Sequence, residues 1–331
     1  MFKKILILVL LCFVIYYYKT KQTPNVIPKP DPIPAPIVPV ELTYEQVLNL
    51  INKQDLKSFI EKLSSEEFAG RGTGSKGIEL SQKYIEEYLK NLDIPYENQS
   101  FDARGKNATN IIANVSPKQI SSNKVIVIGA HYDHLGQRGS SYFPGADDNA
   151  SGTAGVMMIA KCVKKYSHKL NHTILLHFYS AEEMGLLGSK FYVNNPTYPK
   201  NQPNIEDHLA MINLDMIGYL KERYNTFDNT TSYRDETNLI DHITSTLDLK
   251  NIVNELSSKY KFANNICGYK PGGSDHAPFY HKGIPVVFMH TGTHPHYHKP
   301  SDTPEKLNYT GLENCVKLAF EILIKVDQNE K

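Results

Sequence analysis

Disulfide chemistry has little to work with here: the 331 residues hold four cysteines, at 12, 162, 267 and 315, and no Cys-x-x-Cys pair. One lies in an apolar N-terminal segment, which leaves three for the body of the protein and no disulfide framework. The same spacings offer no thiolate zinc site. Net charge is nearly absent as well, with 36 Lys and Arg against 35 Asp and Glu, a balance of +1. That gives no footprint for nucleic acid and no bulk attraction to acidic lipid. The N-terminal apolar run, Ile5 to Tyr18, also falls short of the roughly 20 residues that span a bilayer comfortably.

What stands at the N-terminus reads as an address. Met1 to Lys4 make a basic start before the apolar run, the pattern of a signal-peptide h-region. No small-x-small cleavage site follows, because the segment continues into Tyr16-Tyr17-Tyr18-Lys19. An uncleaved signal anchor and a cleaved signal both stay open; lipidation of Cys12 is a third route, disfavoured by Leu11 before it. Prolines at 24, 28, 30, 32, 34, 36 and 39 then favour an extended polyproline spacer. The chain thus divides into residues 1–22 as signal peptide or anchor, 23–41 as proline-rich linker and 42–331 as the folded domain. Such a leader implies an exported protein: periplasmic, extracellular, or membrane-anchored and facing outward.

Apolar residues make up 40% of the sequence, enough to fill a core. Ser75 to Leu92 carries a helical period through Ile78, Leu80, Tyr84, Ile85, Tyr88 and Leu89. Asn110–Val115 and Lys124–Gly129 read as strands, the second apolar on both faces, as in a sheet covered by helices. Gly152–Tyr166 reads as helix, Thr173–Tyr179 as strand and Glu183–Asn194 as helix. Leu209–Leu214 and Pro285–Met289 are further strands, and Tyr309–Val326 is a closing helix. The alternation predicts an α/β fold, a three-layer sandwich with a mixed, mostly parallel central sheet flanked by helices.

Sheets of this kind carry their sites just beyond the carboxyl ends of the strands. Five places put metal-type ligands there: Ala130-His131-Tyr132-Asp133-His134, the loop Pro144 to Gly152 with Asp147-Asp148-Asn149, Ser180-Ala181-Glu182-Glu183, Asn213-Leu214-Asp215, and Tyr297-His298-Lys299-Pro300-Ser301-Asp302-Thr303. Histidines also crowd near the C-terminus, at 281, 290, 294, 296 and 298. Each residue alone has an ordinary explanation. Asp148 and Asn149 suit a helix N-cap, Glu182 and Glu183 a first helical turn, Asp215 a strand-end turn, and His131 a hydrogen-bonded core position. Together they would pile up uncompensated charge at buried strand ends unless cations neutralise it. Imidazole with carboxylate suits zinc. Five ligands serve two ions only if one carboxylate bridges, as in paired metals about 3.5–4 Å apart that activate one water.

The segments around His131, Asp148, Glu182–Glu183, Asp215 and His298 resemble the co-catalytic zinc exopeptidases that include bacterial leucyl aminopeptidase, with glutamate carboxypeptidase and glutaminyl cyclase as distant relatives. The similarity runs from Phe68-Ala69-Gly70-Arg71 to the closing helix, with the motifs in the family's order. It implies the zinc exopeptidase fold and hydrolysis of a terminal peptide bond, foremost release of N-terminal residues. Residue by residue, it implies two Zn2+ per chain, one on His131, Asp148 and Asp215 and one on Glu183, His298 and the bridging Asp148. Glu182 matches the general base and Asp133 the partner that orients His131. His298 fits the family's His-x-x-x-Asp-Thr motif, with His296 the runner-up ligand. Asp275, in Gly273-Ser274-Asp275-His276, either orients His298 or serves as a turn or N-cap before Ala277. A cis peptide at Asp148–Asn149 is also implied, and Ser151 is placed to cap the helix that follows.

Two departures qualify the resemblance. Between Tyr96 and Asn110 the chain is too short for the lid-like protease-associated domain of larger relatives, which predicts an open site. Only Cys267 lies near the Ser-Asp-His motif, where the bacterial leucyl enzyme has a disulfide, so that loop is held differently and no substrate-binding residue is assigned. A one-zinc glutaminyl cyclase is opposed by the complete two-ion ligand set. A metal-free binding module, like the transferrin receptor ectodomain, is opposed by the intact ligands and Glu182. Carboxypeptidase or dipeptidase activity is not separated from aminopeptidase activity by these motifs. The partner implied is a peptide substrate; no nucleic acid and no obligate protein partner follow.

Overall fold

The computed structural model describes residues 11–19, 41–120, 122–198, 200, 204–220, 239–242, 247–260 and 272–329. The chain divides into two units after Val40. Of the first, residues 11–19 are described and form a helix, α1. No helix among the described residues is long and apolar enough to cross a membrane. The expected signal start, most of the proline-rich linker and Cys267 lie outside the described residues.

The second unit opens with three helices whose starts are written in the sequence. Thr43 and Gln46 form a reciprocal capping box on α2 (Tyr44–Leu48), Asn52 caps α3 (Lys53–Leu63) and Ser75 caps α4 (Lys76–Asn91). A hairpin of β1 (Tyr96–Asp102) and β2 (Asn107–Val115) follows. Then come β3 (Val125–His131), the small β4 (Gln137–Arg138) and β5 (Ser141–Tyr142), α5 (Gly152–Tyr166), β6 (Thr173–Tyr179), α6 (Leu187–Asn194) and β7 (His208–Leu214). The chain closes with β8 (Leu239–His242), α7 (Leu247–Lys259), α8 (His276–His281), β9 (Val286–Met289) and α9 (Tyr309–Asn329).

Among the described residues the main sheet has seven strands, in the order β1-β2-β6-β3-β7-β9-β8. Its centre, β6-β3-β7-β9, is parallel, and the flanking strands are antiparallel, the mixed, mostly parallel sheet predicted. Alternate residues along one strand enter opposite cores. Ile126 and Ile128 pack with α4, α5 and α9 on one face, while Val125 and Val127 join Tyr192 of α6 and Phe279 of α8 on the other. Each such aliphatic side chain, wholly buried, contributes about 1.5–3 kcal/mol relative to exposure.

Connectivity places the site. The chain leaves β3 through α5 to β6 on one side, then returns through α6, on the opposite face, to β7 on the other side. The winding reverses at β3, which opens a crevice at its carboxyl end. His131 is the last residue of that strand.

One expected element starts late. The helix predicted from Glu183 begins at Leu187, because Glu183 to Leu186 turn instead, with Gly185 and Leu186 at φ 104° and 59° and both their N–H groups donated to Glu182 O. The turn frees Glu183 to point into the crevice rather than along a helix.

Candidate metal centre

His131 at the end of β3 lies with its Nε2 3.5 Å from Asp148 Oδ1 and 3.4 Å from Asp215 Oδ1. The other oxygen of Asp148, Oδ2, lies 3.1 Å from His298 Nε2, which in turn stands 3.2 Å from Glu183 Oε2. Asp148 therefore turns one carboxylate oxygen to each ligand group, the geometry a bridging ligand needs. The donors are imidazole and carboxylate throughout, and they fit zinc. His296, the runner-up, instead hydrogen-bonds Ser301 Oγ through Nδ1 at 3.0 Å.

The loop carrying Asp148 is held by three sets of hydrogen bonds. Asn149 donates its amide to Leu214 O at 2.9 Å and accepts from Gly152 N and Met216 N at 2.9 and 3.2 Å, which staples the loop to the β7 end bearing Asp215. Asp147 Oδ1 accepts the N–H groups of Gly218 and Tyr219. Asp302 accepts from Asp147 N and Asp148 N, tying in the histidine-rich loop. Gly145 permits the entry: at φ 55° it is left-handed, and a Cβ there would sit 2.1 Å from Asp148 O and 2.5 Å from the His134 ring. The Asp148–Asn149 peptide is cis. Ser151 makes no side-chain cap to α5; its hydroxyl donates to Asp147 O, since the irregular turn before the helix leaves that carbonyl within reach.

Asp133 does more than face its histidine. His131 Nδ1 lies 3.2 Å from the Asp133 carbonyl and 3.7 Å from its carboxylate. The carboxylate itself accepts from Thr73 Oγ1 and from the backbone N–H groups of Glu182 and Glu183. Glu182 lines the crevice with its carboxylate within 4.8 Å of ligand atoms of His131 and Asp215. Asp275 is fully buried at the start of α8 without a side-chain cap, and no ion pair joins it to His298 among the described residues.

Charge density is high. Asp133, Asp147, Asp148, Asp215, Asp275 and Asp302 are all buried. Burial pushes Asp133 up to about 6 and Glu182 well above the usual carboxylate range. Burial acts on Glu183 in the same direction, but His134 and His298 outweigh it and hold its carboxyl below the usual range. Burial lowers His298 while Asp148 and Glu183 raise it, and the acids win, at about 10. Without a cation His298 keeps its proton at neutral pH, which a metal would have to displace. Non-glycine residues in the left-handed region cluster here too: Ala181, Met216 and His298 at φ 60°, 57° and 55°.

Three participants escape the sequence pattern. His134 is buried, with Nδ1 2.8 Å from Glu183 Oε1 and 3.7 Å from Asp148 Oδ2. His294 sets Nε2 3.3 Å from Asp147 Oδ2 and stacks on Tyr219 with ring centroids 4.3 Å apart. Asp302 was visible only as a member of the last motif. A cavity of about 320 Å³ opens beside the ligands, walled by Met216, Phe288, His290 and Tyr297.

A sheet wound in two directions with an imidazole–carboxylate cluster at its switch point defines an α/β metalloprotein of the zinc-exopeptidase type. More particularly, the chain belongs to peptidase family M28, whose family model matches residues 110–323. A probable leucine aminopeptidase from Arthroderma otae is 32% identical over 206 residues, covering 60% of this chain and 52% of that protein. The chain spans about half the length of the curated relatives it matches first. Among solved structures, a zinc aminopeptidase from Bacillus subtilis has a TM-score of 0.68 at 17% identity, over 85% of this chain and 96% of its own. A glutaminyl cyclase from an Acidobacteriales bacterium has a TM-score of 0.66 at 18% identity, over 90% and 99%. Likeness at such low identity shows a shared fold alone.

Proposed function

We infer that the protein is a two-zinc aminopeptidase that releases N-terminal residues from peptides. The observation that carries this reading is the split of Asp148, one oxygen toward His131 and the other toward His298 and Glu183, with Glu182 beside the first group. His131, Asp148 and Asp215 would hold one ion, and Asp148, Glu183 and His298 the other. When bound, the two ions supply Lewis acidity and lower the pKa of the attacking water. Glu182, its backbone fixed on Asp133, takes the water's proton and returns it to the departing amine.

The cavity supports the choice of terminus. Its volume of about 320 Å³ leaves room for a substrate residue beside the ion sites. No Lys or Arg is among the described residues that line it. The filled positions at both ion sites support a peptidase over a one-zinc cyclase. The basic, then apolar N-terminus adds an address outside the cytoplasm, with attachment to a membrane through that segment or release from it.

A panel of aminoacyl chromogenic amides and their N-acetylated counterparts, run with and without chelator, tests the activity. Free-amine substrates should be cleaved and blocked ones spared, with activity lost to chelator and restored by zinc. Equal cleavage of blocked substrates would overturn the aminopeptidase reading.

A further inference from the structure

The Phe68-Ala69-Gly70-Arg71 segment has no part in the chemistry above, yet Arg71 is the only lysine or arginine buried among the described residues. No carboxylate pairs with its guanidinium at ion-pair distance among them. Every hydrogen bond it makes runs to a carbonyl instead. Nε donates to Tyr132 O at 3.0 Å, Nη1 to Leu63 O and Pro144 O at 2.7 Å each, and Nη2 to Gly145 O at 2.8 Å. Tyr132 sits between His131 and Asp133, and Gly145 lies three residues before Asp148.

The backbone is committed to the same task. Ala69, Gly70 and Arg71 are all left-handed, at φ 43°, 72° and 50°. A Cβ on Gly70 would meet Gly136 O at 2.4 Å and Phe143 O at 2.5 Å, so only glycine lets the segment lie this close. From there Arg71 O accepts His134 N and Gly70 O accepts Gly136 N. Side chain and main chain thus grip the strand end from both directions. A buried guanidinium without a paired anion is costly, and Asp148, Asp302, Asp133 and Glu183 supply the surrounding negative field. Burial pulls its pKa down to about 10, which leaves it charged at neutral pH.

We propose that Arg71 is a positioning residue for the metal centre, whose guanidinium fork locks the strand end bearing His131 to the loop bearing Asp148 before any ion enters. The inference rests on the metal-centre reading above. The planar fork matters because lysine keeps the charge but offers a single ammonium in place of a span of donors across separate carbonyls.

Zinc dissociation constants, measured by competition with a chromophoric chelator, test it on the full-length chain and on Arg71→Lys and Arg71→Met. Both variants should bind zinc about 10–100-fold more weakly, the range for groups that orient ligands without touching the metal. Lysine should not restore the parent value. Hydrogen exchange on the zinc-stripped parent gives an arm independent of whether the variants fold: residues 132–136 and 145–148 should stay as protected as in the zinc-loaded protein. Variants with the parent's zinc affinity, full rescue by lysine, or loss of protection at those segments in the stripped parent would each overturn the proposal. A parent that binds no zinc would instead overturn the metal-centre reading itself.

Discussion

Asp133 Oδ1 accepts the backbone N–H of Glu182 at 3.1 Å, so the residue two places after His131 fixes the loop that carries Glu182. Oδ2 takes the N–H of Glu183 at 3.4 Å and the Thr73 hydroxyl at 3.2 Å. Asp133→Asn would present an amide donor to N–H groups that need an acceptor. Zinc content should hold while kcat falls about 10–100-fold, as for other groups that orient a metal site. An unchanged kcat would mean that the loop is held without this carboxylate.

The adjacent glutamates should separate cleanly. Glu182→Gln should retain both ions and lose at least about 10²-fold in kcat, the lower range for a general base. Glu183→Gln should lose zinc, because its carboxylate faces His298 and His134. The reverse pattern, in zinc analysis beside steady-state kinetics, would shift the assignment by one residue.

Of the clustered histidines, His298 reaches Asp148 and Glu183 whereas His296 pairs with Ser301. His298→Ala should therefore release one ion, and His296→Ala should leave the metal count at the parent value. Equal zinc loss in both variants would contradict the geometry.

Acid should destabilise the fold through a group far from the metals. His208 is held neutral mainly by burial, at about 4, with Nδ1 donating to Asn204 O and Nε2 accepting the Tyr192 hydroxyl. Its folded pKa lies below the ordinary value of 6.5. Between those two values the unfolded chain binds the extra proton, so this contribution is complete above about 6.5 and is lost as pH falls toward about 4. The slope is about 1.4 kcal/mol per pH unit for one proton. Urea midpoints across that window should fall less steeply for His208→Gln than for the parent. Parallel slopes would remove His208 from the account.

Much of this architecture could be read from the sequence because buried parallel strands advertise themselves. Val125 to Ile128 are apolar without alternation, since both faces are covered, and α5 and α9 keep a helical period. Edge strand β1 was invisible: Tyr-Glu-Asn-Gln-Ser-Phe-Asp buries only Gln99 and finds its register from β2. The clustering of His131, Asp148, Glu183, Asp215 and His298 was legible because acids and histidines at the ends of apolar strands call for a cation. Arg71, His134 and Asp302 were not, because their roles come from contacts with residues distant in the chain or from turns whose shape no local pattern reports. Arg71 reaches Pro144 across 73 positions and Asp302 reaches Asp147 across 155.

The central claim is that Asp148 bridges two zinc ions, and anomalous diffraction at the zinc edge tests it most directly. Crystals of the zinc-loaded protein should show two peaks about 3.5–4 Å apart, the spacing of paired catalytic metals, with one Asp148 oxygen on each. A single peak in fully active protein, with Asp148 contacting it through one oxygen or not at all, would contradict the account.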